Sequence, residues 1–169
     1  MEKTTGMIMA EALREKGVRH VIGMPASHCL HGYDALYGQS DITVYQVTDE
    51  TNASIIAEGY GRVARKPMVC LVTAGPGGTR LLSGVVEALQ EPSPMIAITT
   101  DVAAAIRGKG CSHDMDIETP YKGQVKAAFR VTTPEQMRAA IHEAYDISVT
   151  GKPGPVQIIV SADIWSKTT

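Results

Sequence analysis

Six short apolar runs recur along this chain of 169 residues, and helical patterns lie between them. Short runs rich in β-branched residues predict strands, and strands that alternate with helices predict parallel βαβ units. The predicted strands are Val18–Ile22, Ile42–Val47, Met68–Thr73, Met95–Thr99, Ala127–Val131 and Val156–Val160. The predicted helices are Gly6–Lys16, Leu30–Tyr37, Ala53–Ala64, Thr79–Gln90 and Pro134–Ser148. The pattern therefore indicates an α/β fold with a doubly wound, mostly parallel six-stranded sheet and helices on both faces.

Two of the runs indicate where the centre of the sheet lies. Met68–Thr73 and Met95–Thr99 are continuously apolar rather than alternating, which predicts strands buried on both faces.

Thr133 and Gln136 have the spacing of a capping box before the last predicted helix. The long stretch between residues 101 and 124 has no regular pattern, and a loop of that length inside a compact domain is more often functional than idle.

Composition and charge narrow the class of protein. A chain of this length that is 44% hydrophobic fits one domain, residues 1–169, with a real core. The net charge of −2, without long runs of Lys or Arg, disfavours a nucleic-acid partner. The start of the chain lacks a signal-peptide pattern and no stretch has the roughly 20 apolar residues of a membrane span, so we expect a cytoplasmic protein with no membrane partner. The three widely spaced cysteines are expected to be reduced thiols.

Glu50 is the first candidate for chemistry. It follows the apolar run Ile42–Val47 and precedes a helical pattern, so it is predicted to lie at the carboxyl end of a strand. Ligands of open α/β sheets bind beyond that end of the strands. The alternative interpretation is a solvated acid that the helix dipole stabilises by about 0.5 kcal/mol.

The segment from Val72 to Arg80 passes from a predicted strand through Gly75, Pro76 and Gly77 into a predicted helix. This is the setting of a phosphate-binding loop, although the spacing fits neither a Walker loop nor G-x-G-x-x-G, and Pro76 removes one backbone donor. A tight turn that brings the backbone close to a ligand or a subunit is the favoured alternative.

Metal and hydrolase sites are weaker hypotheses. His28, Cys29 and His31 form one cluster, and Cys111, His113 and Asp114 form another, but neither has the spacing of a zinc site, so no metal ligand is assigned. Ser27 does not lie in a G-x-S-x-G elbow, which disfavours a Ser-His-Asp hydrolase.

Several stretches together resemble the pyrimidine-binding (PYR) domain of thiamine diphosphate enzymes, the group of acetolactate synthase, benzoylformate decarboxylase and pyruvate decarboxylase. The segments Gly23-Met24-Pro25 and Tyr33-Asp34-Ala35-Leu36 are similar to the group's first loop and helix. Asp49-Glu50-Thr51 with Ala57–Arg62 resembles H-E-Q…A-D-G-Y-A-R, and Cys70–Gly77 resembles L-V-T-S-G-P-G. Pro94–Thr99 and Gly154-Pro155-Val156 also correspond, so the resemblance extends from about residue 4 to residue 164.

The resemblance implies a role for Glu50 and a missing half of the site. In the group this glutamate hydrogen-bonds N1′ of the cofactor's aminopyrimidine and thereby activates the thiazolium ring. Full-length members continue into a domain whose G-D-G…N-N segment holds Mg²⁺ and the pyrophosphate, and the present sequence contains no such segment. The chain thus looks like one subunit of a split enzyme, which shares thiamine diphosphate with a pyrophosphate-domain partner chain in an α2β2 or larger assembly.

The other site residues are implied by position within the group's pattern. Ser27 stands where decarboxylases place a serine or an acid, and His113 lies where pyruvate decarboxylases carry two histidines. Arg80 replaces a usual asparagine and is predicted, with Ser27 and His28, to bind an anionic substrate. The residues expected to shape the cofactor pocket beside Glu50 are Pro25, Gly75, Pro76, Gly77 and Gln90.

The resemblance leads to one function and two alternatives. We expect a decarboxylase subunit that acts on an anionic 2-oxo acid such as sulfopyruvate. A carboligase subunit of the acetolactate synthase kind is the first alternative, and the match at Tyr33–Tyr37 favours it. A catalytically idle or regulatory homo-oligomer is the second alternative.

Overall fold

The computed structural model describes residues 2–169 and contains one sheet of six strands. The strands are β1 (His20–Gly23), β2 (Thr43–Gln46), β3 (Met68–Val72), β4 (Met95–Asp101), β5 (Ala128–Val131) and β6 (Pro155–Ser161). Their order is β2-β1-β3-β4-β6-β5, and every neighbouring pair is parallel. The predicted α/β fold with a six-stranded parallel sheet is confirmed.

The helices cover both faces of the sheet. They are α1 (Thr5–Glu15), α2 (Leu30–Leu36), α3 (Glu50–Ala64), α4 (Pro76–Arg80), α5 (Leu82–Gln90) and α6 (Pro134–Val149). Two single 3-10 turns follow β4 and β6, at Thr119–Tyr121 and Ala162–Ile164. Helices α1, α2 and α6 share a hydrophobic core with one face of the sheet, and α3 and α5 share a second core with the other face. The sheet is therefore doubly wound.

Burial follows the apolar patterns of the strands. Every residue of β3, β4 and β6 is buried, as expected for the central strands of a sheet that has helices on both sides. All four residues of β2 are exposed, since this strand forms one edge of the sheet. The prediction that the continuously apolar runs lie at the centre is confirmed.

The first helix boundary that differs from prediction by more than one residue is the start of α3. The sequence places Glu50 at a strand end and begins the helix at Ala53, whereas β2 stops at Gln46 and α3 begins at Glu50 itself. The cause is Asp49, whose side chain accepts a 2.8 Å hydrogen bond from the backbone N–H of Thr51 and so caps the helix three residues earlier.

The second difference is a break within the predicted helix Thr79–Gln90. Helix α4 begins early because Pro76 suits the first helical position, and it ends at Arg80. The carbonyl of Gly78 accepts a hydrogen bond from the Tyr121 hydroxyl at 2.6 Å and from the N–H of Leu81 at 3.3 Å. An i to i−3 bond therefore replaces the helical one at this point, and α5 starts afresh at Leu82.

The predicted start of the last helix is confirmed, and its end lies one residue beyond the predicted one. The side-chain oxygen of Gln136 accepts hydrogen bonds from the N–H groups of Thr132 at 2.8 Å and Thr133 at 3.2 Å, as in a capping box. Within residues 2–169, none of the helices has the length and apolar character needed to cross a bilayer.

Candidate functional site

The strand order predicts where a ligand would bind. After β1 the chain places β2 on one side of it and β3 on the other, so the order reverses between β1 and β3. Ligands of open α/β sheets bind in the crevice beyond the carboxyl ends of the strands at such a reversal. Three segments meet there: the loop 24–29 after β1, the loop 47–49 after β2, and the turn 73–75 after β3.

Glu50 is a buried carboxylate at this crevice. Its residue is 2% exposed, although it is the first residue of a helix and follows the exposed edge strand. Its Oε2 lies 3.4 Å from Nη1 of Arg80, whose own side chain is 55% exposed. A long contact to an exposed cation stabilises a carboxylate only weakly. Within residues 2–169 Arg80 is the one polar partner of the Glu50 carboxylate, which therefore has oxygen lone pairs available for a ligand.

The glycine turn packs its backbone closely against the residues beside Glu50. Gly75 has φ 61°, a left-handed conformation, and a Cβ on it would lie 2.7 Å from the backbone oxygen of His113. A Cβ on Gly77 would lie 2.8 Å from the methyl group of Thr73 and 3.3 Å from Oε1 of Glu50. Helix α4 has only five residues, too short for a strong helix-terminal anion site. The geometry favours a tight turn of close backbone approach over a phosphate-binding loop.

Ser27, His28 and His113 come together at the end of β3. Nδ1 of His28 lies 3.5 Å from the Ser27 hydroxyl, 3.3 Å from the Thr73 hydroxyl and 3.4 Å from Nδ1 of His113. Burial, and then the nearby ring of His113, lower the pKa of His28 from its ordinary value. The structure thus brings together three of the predicted residues from two loops, and Thr73 joins them to the turn beside Glu50.

The two other predicted pocket residues lie at opposite edges of the sheet. Pro25 is exposed in the loop after β1, at the correct edge of the sheet. Gln90 is the exposed last residue of α5. Because Arg62 near the end of α3 pairs with Glu87 and Glu91 near the end of α5, the two helices run in the same direction away from the crevice. The structure therefore places Gln90 at the amino edge of the sheet and does not bring it to Glu50.

Sequence reasoning missed Asp101, a buried acid at the carboxyl end of β4. Its Oδ2 accepts a hydrogen bond from Arg130 at 2.7 Å and forms an ion pair with Nε of Arg107 at 3.1 Å, and its Oδ1 accepts a hydrogen bond from the N–H of Val102 at 2.8 Å. The signal was an acid directly after a continuously apolar run, the same signal that indicates Glu50. Its lone pairs are occupied, so it anchors the loop that begins at residue 102.

The cysteine clusters do not form metal sites in the structure. Within residues 2–169, no three His, Cys, Asp or Glu side chains converge in a way that could hold a metal ion. The thiol of Cys29 is buried and donates to the backbone oxygen of Ala26, and burial raises the pKa of Cys29 to about 11. A thiol that resists ionisation is a poor metal ligand and a poor nucleophile.

Comparison with known proteins agrees with this geometry. The family described as thiamine pyrophosphate enzyme, N-terminal TPP binding domain, matches residues 3–119. The chain is 34% identical over 156 residues to the acetolactate synthase isozyme 2 large subunit of Escherichia coli. This alignment covers 92% of this chain and 28% of that protein. It is 33% identical over 154 residues to a probable acetolactate synthase large subunit of Methanocaldococcus jannaschii, an alignment that covers 91% of this chain and 26% of that protein. It is also 33% identical over 157 residues to the chloroplastic acetolactate synthase of Arabidopsis thaliana, an alignment that covers 93% of this chain and 23% of that protein.

The chain spans about a quarter of the length of these relatives. The matched segment contains the loop after β1, Glu50, the glycine turn and His113, which are the residues that meet at the crevice. The chain belongs to the family of N-terminal, thiamine pyrophosphate-binding domains of thiamine pyrophosphate enzymes.

Proposed function

We propose that this chain supplies the glutamate-bearing half of a thiamine diphosphate site that acts on a 2-oxo acid, and that the reaction is a carboligation of the acetolactate synthase type. The observation that carries the proposal is the carboxylate of Glu50, which is 2% exposed and lies at the crevice where the strand order reverses. The similarity to several acetolactate synthases supports the choice of reaction.

The residues at the crevice fit the cofactor's aminopyrimidine ring. Glu50 provides a buried hydrogen-bonding carboxylate, and Gly75 and Gly77 let the backbone of the turn pack closely against the residues beside it. When bound, thiamine diphosphate supplies a thiazolium carbon that adds to the carbonyl of a 2-oxo acid and an electron sink for the loss of carbon dioxide.

The chain's own residues then have distinct tasks. Glu50 would make the proton-transfer contact to N1′ of the pyrimidine, and its burial would strengthen that hydrogen bond because little water competes for it. The turn at Gly75 fixes the position of the backbone beside the ring through its close contact with His113. Ser27 and His113 provide the hydroxyl and imidazole groups that orient the substrate and move a proton at its reacting carbon or oxygen.

In the proposed assembly a pyrophosphate domain completes the site. We assign the binding of Mg²⁺ and the diphosphate to such a domain on a partner chain. Equal numbers of the two chains in an α2β2 or larger assembly would place a partner domain over each crevice.

A decarboxylase of an anionic 2-oxo acid such as sulfopyruvate is the second candidate. The observation that favours it is Arg80, whose guanidinium lies at Glu50 yet keeps more than half of its side chain exposed. N–H groups that face solvent at the crevice can bind a sulfonate or a second carboxylate of a substrate.

Product analysis separates the candidates. The assembled enzyme, purified with its partner chain, thiamine diphosphate and Mg²⁺, is incubated with pyruvate and with sulfopyruvate, and carbon dioxide and organic products are counted. A carboligase releases one carbon dioxide for two pyruvate molecules and forms acetolactate. A decarboxylase releases one carbon dioxide for each 2-oxo acid and leaves the aldehyde. No turnover of either substrate would contradict both and favour the idle or regulatory alternative.

The Arg80→Gln variant tests the source of substrate preference. If Arg80 binds a substrate anion, the variant should raise the KM for sulfopyruvate about tenfold while kcat changes little, since one charge-assisted hydrogen bond to a partly exposed group is worth about 1.5 kcal/mol. The KM for pyruvate, which has no second anionic group, serves as the control. Equal changes in KM for both substrates would contradict the role in substrate choice.

A further inference from the structure

Two histidines from distant parts of the chain meet at the crevice. His28 lies in the loop after β1, and His113 lies in the long segment after β4. Their Nδ1 atoms are 3.4 Å apart, and their ring centroids are 5.0 Å apart with an interplanar angle of 52°. His113 also has φ 67°, unusual for a residue with a side chain, and its backbone packs against Gly75. The second ring is therefore held at a fixed place over the turn.

The contact between the two Nδ1 atoms constrains the protons of both rings. A neutral imidazole carries its proton on one nitrogen, so two facing nitrogens form a hydrogen bond only if one of them bears a proton and the other does not. A proton on both Nδ1 atoms would turn two N–H donors toward each other, and a proton on neither would turn two lone pairs toward each other. The geometry thus favours one proton at the contact over none or two.

The groups that face the pair are hydroxyls rather than charges. They are Ser27 on the loop after β1 and Thr73 at the end of β3. Asp114, next to His113, accepts hydrogen bonds from the N–H groups of Gly108 and Gly110 in its own loop. Within residues 2–169, the histidine that pairs with a carboxylate is His142 on α6.

We infer that His28 is a positioning residue for His113: the two rings hold one proton at their Nδ1 contact, and this contact keeps the His113 ring oriented and proton-bearing for the transfer step. The inference rests on the proposed function for that step. One proton moves and no electron does: the Nδ1 proton stays at the contact with His28, the Nε2–H of the His113 imidazolium gives its proton to the substrate, and Nε2 regains one from solvent at the exposed face of His113.

The direction of the pKa shift at His28 agrees with this assignment. Burial and the ring of His113 lower the pKa of His28, so His28 is the acceptor of the pair and the proton lies on the side of His113. A lowered pKa in the folded state means that the stabilisation from neutral His28 is present above the ordinary value of about 6.5 and is lost as the pH falls from there through the folded-state pKa.

The first test is an NMR titration of the histidine ring nitrogens in the chain itself. In the wild-type chain His28 should titrate below its ordinary midpoint. In His113→Gln the midpoint of His28 should rise by about 0.5 pH unit or more, the size expected for two unit charges about 5 Å apart near water. The matched control is His31→Gln, an exposed histidine on α2, which should leave that midpoint unchanged. If the midpoint of His28 is unchanged in His113→Gln, the two rings do not share a proton at the contact and the inference is overturned.

The second test is the pH profile of kcat/KM for the enzyme assembled with its partner chain. His28→Gln should displace the acidic limb of the profile and lower the maximum about tenfold or more, within the range for general acid–base groups. His31→Gln should give the wild-type profile. A His28→Gln profile that superimposes on the wild type overturns the positioning role. If the NMR midpoint of His28 depends on His113 but the wild-type assembly is inactive, the proposed function is contradicted, and the positioning role with it.

Discussion

Replacing Glu50 by Gln is expected to lower the turnover of the assembled enzyme by about 100-fold to 10,000-fold, the contribution typical of a positioned acid–base group. Glutamine keeps the shape of the side chain but loses the carboxylate, so it cannot take part in the proton transfer at N1′. The fold should survive, because the side chain's contact is a 3.4 Å ion pair with the half-exposed Arg80 rather than part of a buried network.

The measurement is kcat with saturating cofactor, together with a urea unfolding curve to show that the variant is folded. Glu87→Gln is the matched control, since Glu87 lies on α5 with a side chain that is 53% exposed. We expect that control to keep wild-type turnover and stability. Near-normal turnover in Glu50→Gln would remove the basis of the proposed function.

Replacing Gly84 by Ala is expected to lower the free energy of unfolding by about 1–3 kcal/mol, as overpacked core substitutions do. A Cβ at this position would lie 2.3 Å from the backbone carbon of Ser54 and 2.7 Å from the backbone nitrogen of Ile55. Backbone atoms cannot rotate away, so α3 and α5 must move apart. The N–H of Gly84 also donates to the Ser54 hydroxyl at 3.2 Å, a contact that the displacement would weaken.

Gly59→Ala is the matched control on the same pair of helices. A Cβ there meets no atom within 4 Å, and the residue lies in the interior of α3. Alanine should therefore raise the free energy of unfolding by about 0.5–1 kcal/mol through its better helix propensity. Urea unfolding of both variants measures the two changes in the free energy of unfolding, which should have opposite signs while the m-value stays unchanged. Equal stabilities would mean that α3 and α5 are less tightly packed, and that Glu50 is less firmly held, than the structure indicates.

The sheet was predictable because its signals are local. The continuously apolar runs that became β3 and β4 can be satisfied only by burial on both faces, and the intervening helical patterns require parallel crossovers. The position of Glu50 at the carboxyl edge followed from the same reasoning. Its place inside α3 did not follow from that reasoning. The helix start depends on the hydrogen bond that the Asp49 side chain accepts from the Thr51 N–H, which competes with strand geometry and is not visible in the apolar pattern.

The remainder of the site depends on contacts between distant segments. The break between α4 and α5 arises partly from the Tyr121 hydroxyl, 43 residues beyond the Gly78 carbonyl that it bonds. His28 and His113 are 85 residues apart and meet only because one loop folds over Gly75. The resemblance predicted Gln90 in the cofactor pocket, but α5 runs away from the crevice and places Gln90 at the opposite edge of the sheet. Local patterns contain no signal for the first two, whereas the predicted helix Thr79–Gln90 between two parallel strands already indicated the position of Gln90.

The most direct test of the central claim is native mass spectrometry of the tagged chain, purified from its own cells with thiamine diphosphate and Mg²⁺ present, beside the Glu50→Gln variant. The proposal predicts equal numbers of this chain and a partner chain, with thiamine diphosphate bound in that assembly and released more readily from the variant. An assembly of this chain alone without cofactor would contradict the claim that it forms half of a thiamine diphosphate site.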